Sequence, residues 1–356
     1  SAPSILDRVR VAAAELVAAD WAPGVSIDVV AGPGAYLYGE ETALLEVLEG
    51  REPFPRIAPP WRRGIDDLGD DSALAGEIQL AGPGDDSESP PALVNNVETM
   101  ANIPAIVSKG PEWFRTIGSD RSPGSLVVTV TGRTRRAGVA EVAMGTPLRE
   151  VIAEVGGGAR IGRVVAVLPG VSSAALSGDQ LDVPLTYEAV AAAGSGLGAG
   201  SFYVLDDASD PVAVAQGVSR FLAVESCGQC SPCKQDGKAV SVSLDRLRRS
   251  DPGPRDLDDI ASRLDTIARG ARCSLATQHQ VVVQSLIALF PRAFQDHASR
   301  ALAPSDPVLI AEVVDLVGTQ LVLDEAHAGK QPDWTFAAQD SGASPAERLN
   351  QLAGEG

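Results

Sequence analysis

Glu225-Ser226-Cys227-Gly228-Gln229-Cys230-Ser231-Pro232-Cys233 is the stretch on which the reading of this chain turns. It holds three of the four cysteines, each two residues from the next, and the fourth, Cys273, follows forty residues later. Three thiolates at this spacing can wrap one face of a cubane while a distant fourth closes the last iron. That is the ligand number and softness an iron–sulfur centre needs. Structural zinc usually takes two separated pairs of ligands instead of a run of three. A disulfide framework does not suit a long chain with so few cysteines. Cys227, Cys230, Cys233 and Cys273 are therefore the candidate metal ligands.

Around the cysteines the pattern is helical. Before them, apolar residues recur at Val212, Val214, Val218, Phe221 and Leu222. After them, helices are expected near 235–249, 256–269 and 275–296. This predicts a helical bundle over 210–300 with the cluster at one end and Cys273 on the loop before the last helix. His279, His297 and His327 are scattered and form no zinc or base-relay pattern, and His279 is expected at the surface. Residues 301–356 are a C-terminal extension, expected to hold one apolar helix over 308–323 and a mobile Gly/Ser/Ala-rich end.

Upstream, Leu126-Val127-Val128-Thr129-Val130-Thr131 and Gly138-Val139-Ala140-Glu141-Val142 read as a hairpin. A short helix from Pro147 and strands at 164–168 and 201–205 follow, which suggests a small β-grasp domain over 124–207. No catalytic constellation appears in it, and it reads as a spacer or docking module. In residues 1–118 a helix over 5–19 precedes a buried strand at 25–30. Next come the Gly-rich turn Gly32-Pro33-Gly34-Ala35-Tyr36-Leu37-Tyr38-Gly39 and a helix from Thr42 that stops at Gly50. Strand, Gly-rich loop and helix form the layout that offers free helix N–H groups to a nucleotide. Glu40 and Glu41 would repel a phosphate there, so a ribose or a ring suits the loop better. Residues 51–90 read as a long ordered loop, part of it a lid. Asn95 and Asn96 stand before the next helix, where they can cap it or offer amides to a ring system; capping is the simpler reading.

The 356 residues are 44% hydrophobic and carry a net charge of −18, with a pI near 4.6. That acidity argues against nucleic acid as the partner. No apolar run approaches the ~20 residues that cross a bilayer, so direct membrane insertion is not expected. Reduced thiols and a cluster point to the cytoplasm, or to a place on the inner face of a membrane reached through partner subunits. No phosphate-binding Gly-Lys-Ser/Thr loop and no Ser or Cys nucleophile motif is present.

Taken together, three segments resemble one family closely: residues 34–44, Val94-Asn95-Asn96-Val97-Glu98-Thr99, and the cysteine run with its Glu-Ser lead-in. That family is the NADH-oxidising flavoprotein subunit of respiratory complex I, which also occurs in NAD-dependent formate dehydrogenases and NAD-reducing hydrogenases. The likeness runs from about residue 25 to residue 297. It implies an α/β plus α architecture, with a Rossmann-like FMN/NADH domain, N-terminally incomplete here, then a β-grasp domain and a bundle holding a [4Fe–4S] cluster. By similarity, Tyr36, Gly39, Glu40 and Glu41 would line flavin and nicotinamide, Trp61 would stack on NADH, and Asn95 and Asn96 would contact FMN. The implied cofactors are FMN, NAD(H) and a [4Fe–4S] cluster on Cys227, Cys230, Cys233 and Cys273. The implied partners are a [2Fe–2S] thioredoxin-like subunit and a larger iron–sulfur or catalytic subunit. Three departures stand out. The family's Gly-Arg-Gly-Gly-Ala-Gly-Phe-Pro run has no counterpart in these residues, Ala58 replaces its lysine, and Tyr38 its cysteine. Two functions follow: an electron-transfer subunit working from NADH through FMN to the cluster, or a relay subunit that keeps the cluster alone.

Overall fold

The computed structural model describes residues 3–56, 92–317 and 320–354, so Ala58 and Trp61 lie outside the described residues. The chain falls into two compact units, one up to Ala101 and one from Asn102, and its architecture is mixed α/β with additional helices.

In the first unit, helix α1 (Pro3–Ala18) is followed by a 3-10 turn at Tyr36–Gly39 and helix α2 (Glu41–Leu48). Helix α3 (Val97–Lys109) then leads into the second unit. The strand expected at 25–30 does not form. No described residue pairs with the segment, and Val25 and Val30 are 62% and 48% exposed. Apolar composition favours a strand only when a neighbour takes its N–H and C=O groups. Residues 51–56 fold back on α2. Arg51 and Arg56 both reach Glu46 and Glu49, and the Arg51 hydrogen bond, ahead of the Arg56 charge, lowers the Glu46 carboxyl to about 2.

After α3 the second unit continues with helix α4 (Pro111–Arg115) and then builds a five-stranded sheet. Its strands are β1 (Ser125–Gly132), β2 (Gly138–Ala143), β3 (Val164–Leu168), β4 (Leu176–Ser177) and β5 (Ser201–Asp206), in the order β2-β1-β5-β3-β4. β1 and β5 run parallel and every other pair is antiparallel. Helices α5 (Leu148–Gly156) and α6 (Tyr187–Ala192) belong to the same module. Its core includes Val128, Val130, Leu148, Ile152 and Phe202, the inward set that alternation along the strands and helical spacing in α5 predict.

The helices that follow are α7 (Pro211–Glu225), α8 (Ser231–Arg248), α9 (Asp256–Leu264), α10 (Leu275–Leu289) and α11 (Pro291–Ala298). The helix expected over 275–296 is broken at Phe290, because Pro291 has no N–H to donate and instead starts α11. α7 is the central helix, and thirteen of its fifteen residues are buried. Gly217 on it is needed for a close approach, since a Cβ there would collide with the Val308 carbonyl oxygen of the passing C-terminal segment.

That segment departs from expectation twice. In place of an apolar helix over 308–323 stands an antiparallel hairpin of β6 (Val313–Val317) and β7 (Gln320–Leu323). The β-branched Val313, Val314 and Val317 lose side-chain freedom in a helix and fit a pleated surface. The end of the chain is not a mobile tail either. His327, Lys330, Asp333 and Ser344 on it are buried, and α12 (Pro345–Gly354) closes it. No helix among the described residues is long and apolar enough to cross a membrane.

His279 is a further correction. Only 1% exposed, it sits inside the bundle with Nε2 2.7 Å from the Ser219 hydroxyl, and burial pushes its pKa down from 6.5 to about 3. The unfolded chain takes a proton that the folded chain refuses. The stability this contributes is therefore complete above pH 6.5 and is lost as pH falls toward 3. The melting temperature should fall over that window more steeply for the wild type than for His279→Gln, as followed by circular dichroism; parallel curves would remove His279 as the cause.

Candidate iron–sulfur site

The cysteine run forms a tight connection between two helices. α7 ends at Glu225, Ser226 caps it, and Gly228 turns the chain with φ of +86°, a conformation natural to glycine. Cys230 is the N-cap of α8, whose first turn contains Pro232 and Cys233. Cys273 comes just before α10, next to its N-cap Ser274. Two helix N-termini thus lie beside the cysteines, where their dipoles favour thiolate over thiol.

None of the four cysteines is in a disulfide. Cys227 and Cys233 are 8% and 7% exposed, and Cys230 and Cys273 are half-buried. Each sulfur has a hydrogen-bonding group beside it. The Gln229 amide Nε2 donates to Cys227 Sγ at 3.5 Å, and the Arg272 N–H donates to Cys230 Sγ at 3.4 Å. The Ser226 hydroxyl lies 3.3 Å from Cys233 Sγ, and the Leu275 N–H reaches Cys273. Arg272 also donates to the Gln229 side-chain oxygen at 2.6 Å, which holds the amide with its N–H₂ toward the sulfur.

Burial first, then the mutual repulsion of the sulfurs, pushes the Cys233 thiol up to about 11 and the Cys273 thiol up to about 12. The four sulfurs are therefore within electrostatic range of one another. Burial thus favours the protonated form of Cys233 and Cys273, and a strongly positive centre would turn these two into thiolates. Among the described residues no three Cys, His, Asp or Glu side chains converge as a single ion would require. The donor set fits a [4Fe–4S] cluster: four soft ligands, partial burial, and a donor near each sulfur.

Matches to known proteins agree with this geometry. The family described as the NADH-ubiquinone oxidoreductase-F iron-sulfur binding region matches residues 213–297, and the Nuo51 FMN-binding domain matches residues 1–105. The NADH-quinone oxidoreductase F subunit of Mycobacterium bovis is 36% identical over 324 residues, which cover 87% of this chain and 68% of that protein. The chain belongs to the family of NADH-quinone oxidoreductase F subunits. The second such F subunit of Rhizobium meliloti is 35% identical over 77% of this chain and 61% of its own length. The NADP-reducing hydrogenase subunit HndC of Solidesulfovibrio fructosivorans is 34% identical over 78% and 53%. A solved NAD+-reducing [NiFe]-hydrogenase in the H2-reduced state superposes with a TM-score of 0.68 at 28% identity. That match covers 85% of this chain and 48% of the hydrogenase chain, so the chain spans about half the length of this solved relative.

The N-terminal candidates fall in the first unit. The Glu40 carboxylate caps α2, with Oε2 accepting from the backbone N–H of Thr42 at 3.0 Å and of Ala43 at 2.9 Å. Tyr36 and Gly39 form the 3-10 turn just before it, and Glu41 is in the first turn of α2. Asn96 caps α3 by accepting from the Glu98 N–H at 2.9 Å, as its position in the sequence suggests; Asn95 beside it is exposed. The residues that sequence reasoning misses are Lys234, His327, Lys330 and Trp334, which bond to the cysteine run or the helix end before it, and Arg220, which holds the segment carrying three of them. Lys234 stands in plain view directly after Cys233, but helical spacing alone does not say that a lysine is 3% exposed.

Cys230→Ala should lose the cluster: iron and labile sulfide in the purified protein should fall to background, with the broad cluster absorbance gone. A variant that keeps its full iron content would remove Cys230 from the ligand set.

Proposed function

We propose that this chain is the electron-transfer subunit of a multisubunit oxidoreductase, which takes electrons from NADH through FMN and passes them by a [4Fe–4S] cluster to a partner subunit. The observation that carries the reading is the grouping of four partly buried cysteines, none in a disulfide, at two helix N-termini with a hydrogen-bonding group near each sulfur. Membership of the F-subunit family supports it.

The residues divide the work. Cys227, Cys230, Cys233 and Cys273 hold the cluster. Tyr36, Gly39, Glu40 and Glu41 meet the flavin and nicotinamide, with Asn95 and Asn96 toward FMN and Trp61 stacked on NADH. Because Glu40 Oε2 is the oxygen occupied by the helix cap, Oε1 is the atom offered to a ribose hydroxyl. When bound, FMN supplies the exchange between a two-electron hydride and single electrons, and the cluster supplies the one-electron relay. The chain's own task is to orient these groups and keep water from them. No described residue is assigned to the FMN phosphate. The five-stranded sheet, with first and last strands parallel at its centre, supports reading 124–207 as a β-grasp module that separates flavin domain and bundle along the chain. The expected neighbours are a [2Fe–2S] thioredoxin-like subunit and a larger iron–sulfur or catalytic subunit.

An anaerobic absorption spectrum of the purified complex, taken before and after NADH is added, tests the reading. Flavin bands that bleach together with the cluster absorbance are expected. A cluster spectrum without flavin, unmoved by NADH, would overturn it and make the chain a relay.

A further inference from the structure

The C-terminal segment 324–348 lies beyond the matched iron–sulfur region, which ends at residue 297, yet it is built onto the cysteine run. Ala346 N–H donates to the Cys227 carbonyl at 3.0 Å. Trp334 Nε1 donates to the Val224 carbonyl at 2.9 Å. Ser344 lies so close to Gly228 that a Cβ added there would collide with it. Arg220 on α7 grips the segment from the other side, donating to the carbonyls of His327, Ala328 and Lys330 at 3.2, 2.8 and 3.1 Å.

Two buried charges flank the cysteines, and the segment completes both. Glu225, 1% exposed, receives His327 Nε2 at 2.9 Å and the Lys330 ammonium at 2.6 Å. Lys234, 3% exposed, donates to the carbonyls of Ala223 at 3.1 Å, Ser226 at 2.7 Å and Pro332. Glu225 has a cation against it. Lys234 has only carbonyl dipoles in its hydrogen bonds, and a buried ammonium held by dipoles alone is costly; the Asp340 and Glu347 carboxylates feel its charge without an ion pair to it, and the Lys238 ammonium opposes it. The Cys227 and Cys233 sulfurs are close enough to stabilise its charge. A cubane bound by four thiolates is a net anion in both of its usual redox states and would add the anion nearest to this ammonium along the chain.

Resting on the cluster reading above, we propose that residues 324–348 are part of the iron–sulfur site: they clamp the cysteine loop through Glu225 and fix Lys234 as the buried counter-cation that raises the cluster's reduction potential. Lys234 acts through the field at the sulfurs and is a positioning and tuning residue, not a ligand. A fixed cation favours the reduced, more negative cluster, and net charge and local burial are among the determinants of such potentials.

The test uses the purified complex and EPR-monitored redox titration, with iron release to a chelator as a second readout. The wild type must first show a cluster signal; its absence would sink the cluster reading itself and not this inference alone. Lys234→Met should shift the midpoint to lower potential, and Lys234→Arg should restore it. If Lys234→Met carries no cluster while Lys234→Arg does, the charge requirement is equally upheld. An unchanged potential in Lys234→Met, or no recovery in Lys234→Arg, overturns the counter-cation role. Lys330→Met should lose iron about 10–100-fold faster than wild type, the cost usual for removing an outer partner of a metal site. Release at the wild-type rate would overturn the clamp.

Discussion

Burying charge beside the cysteine run is the constraint on which this structure depends. Glu225 and Lys234 stand on either side of Cys227, Cys230 and Cys233, both nearly free of solvent. Removing a carboxylate or an ammonium from water costs several kcal/mol unless partners replace the lost hydration. The fold meets that demand from far away in sequence. Lys330 and His327 come to Glu225, and Pro332 completes the carbonyl set around Lys234. Although burial opposes it, the His327 hydrogen bond and the Lys330 charge hold the Glu225 carboxyl below the usual range. His327 Nε2 faces Glu225, and its Nδ1 is buried without a hydrogen-bond partner among the described residues.

The same constraint explains the path of the C-terminal chain. It must cross α7 closely enough to reach the cysteine loop, and Gly217 makes room for the Val308 carbonyl. At its far end, Asp333 organises the turn around Trp334 with hydrogen bonds from Thr335 and Ser341. Burial alone would raise this carboxyl, but those bonds hold it well below the usual carboxylate range. Arg348 donates to the Asp333 carbonyl at 2.8 Å and ties the last helix to the turn. Small residues and polar caps do here what a larger apolar core does elsewhere.

Electron flow gives these contacts their purpose. A cluster works only if its sulfurs are held still and its charge is offset by groups that do not reorganise with each electron. The short loop between α7 and α8, pinned at Cys227 and Gly228 by Ala346 and Ser344, meets the first need. Fixed donors at the sulfurs and the caged ammonium meet the second. Two of the cysteines are half-buried, which leaves a side from which an acceptor can approach.

Much of this is legible in the residues. The spacing of Cys227, Cys230, Cys233 and Cys273 marks them as the proposed cluster ligands, because ligand count and loop length are local properties of the chain. Alternation in 126–131 and 138–142 marks the hairpin, helical spacing marks α7 and α5, and Asn96 before α3 reads as a cap. Local pattern misleads where neighbours decide. The segment 25–30 is apolar enough for a strand, but pairing is a tertiary event. His279 reads as a surface residue, yet it faces Ser219 inside the bundle. Residues 308–323 carry an apolar pattern that suits helix or hairpin, and the β-branched valines settle it. The amino-acid sequence by itself determined the metal chemistry, since that depends on which side chains stand a few residues apart. Only the tertiary structure decided that the last residues of the chain belong to the site, because partners for a buried Glu225 and Lys234 are chosen by proximity in space, roughly a hundred residues away along the chain.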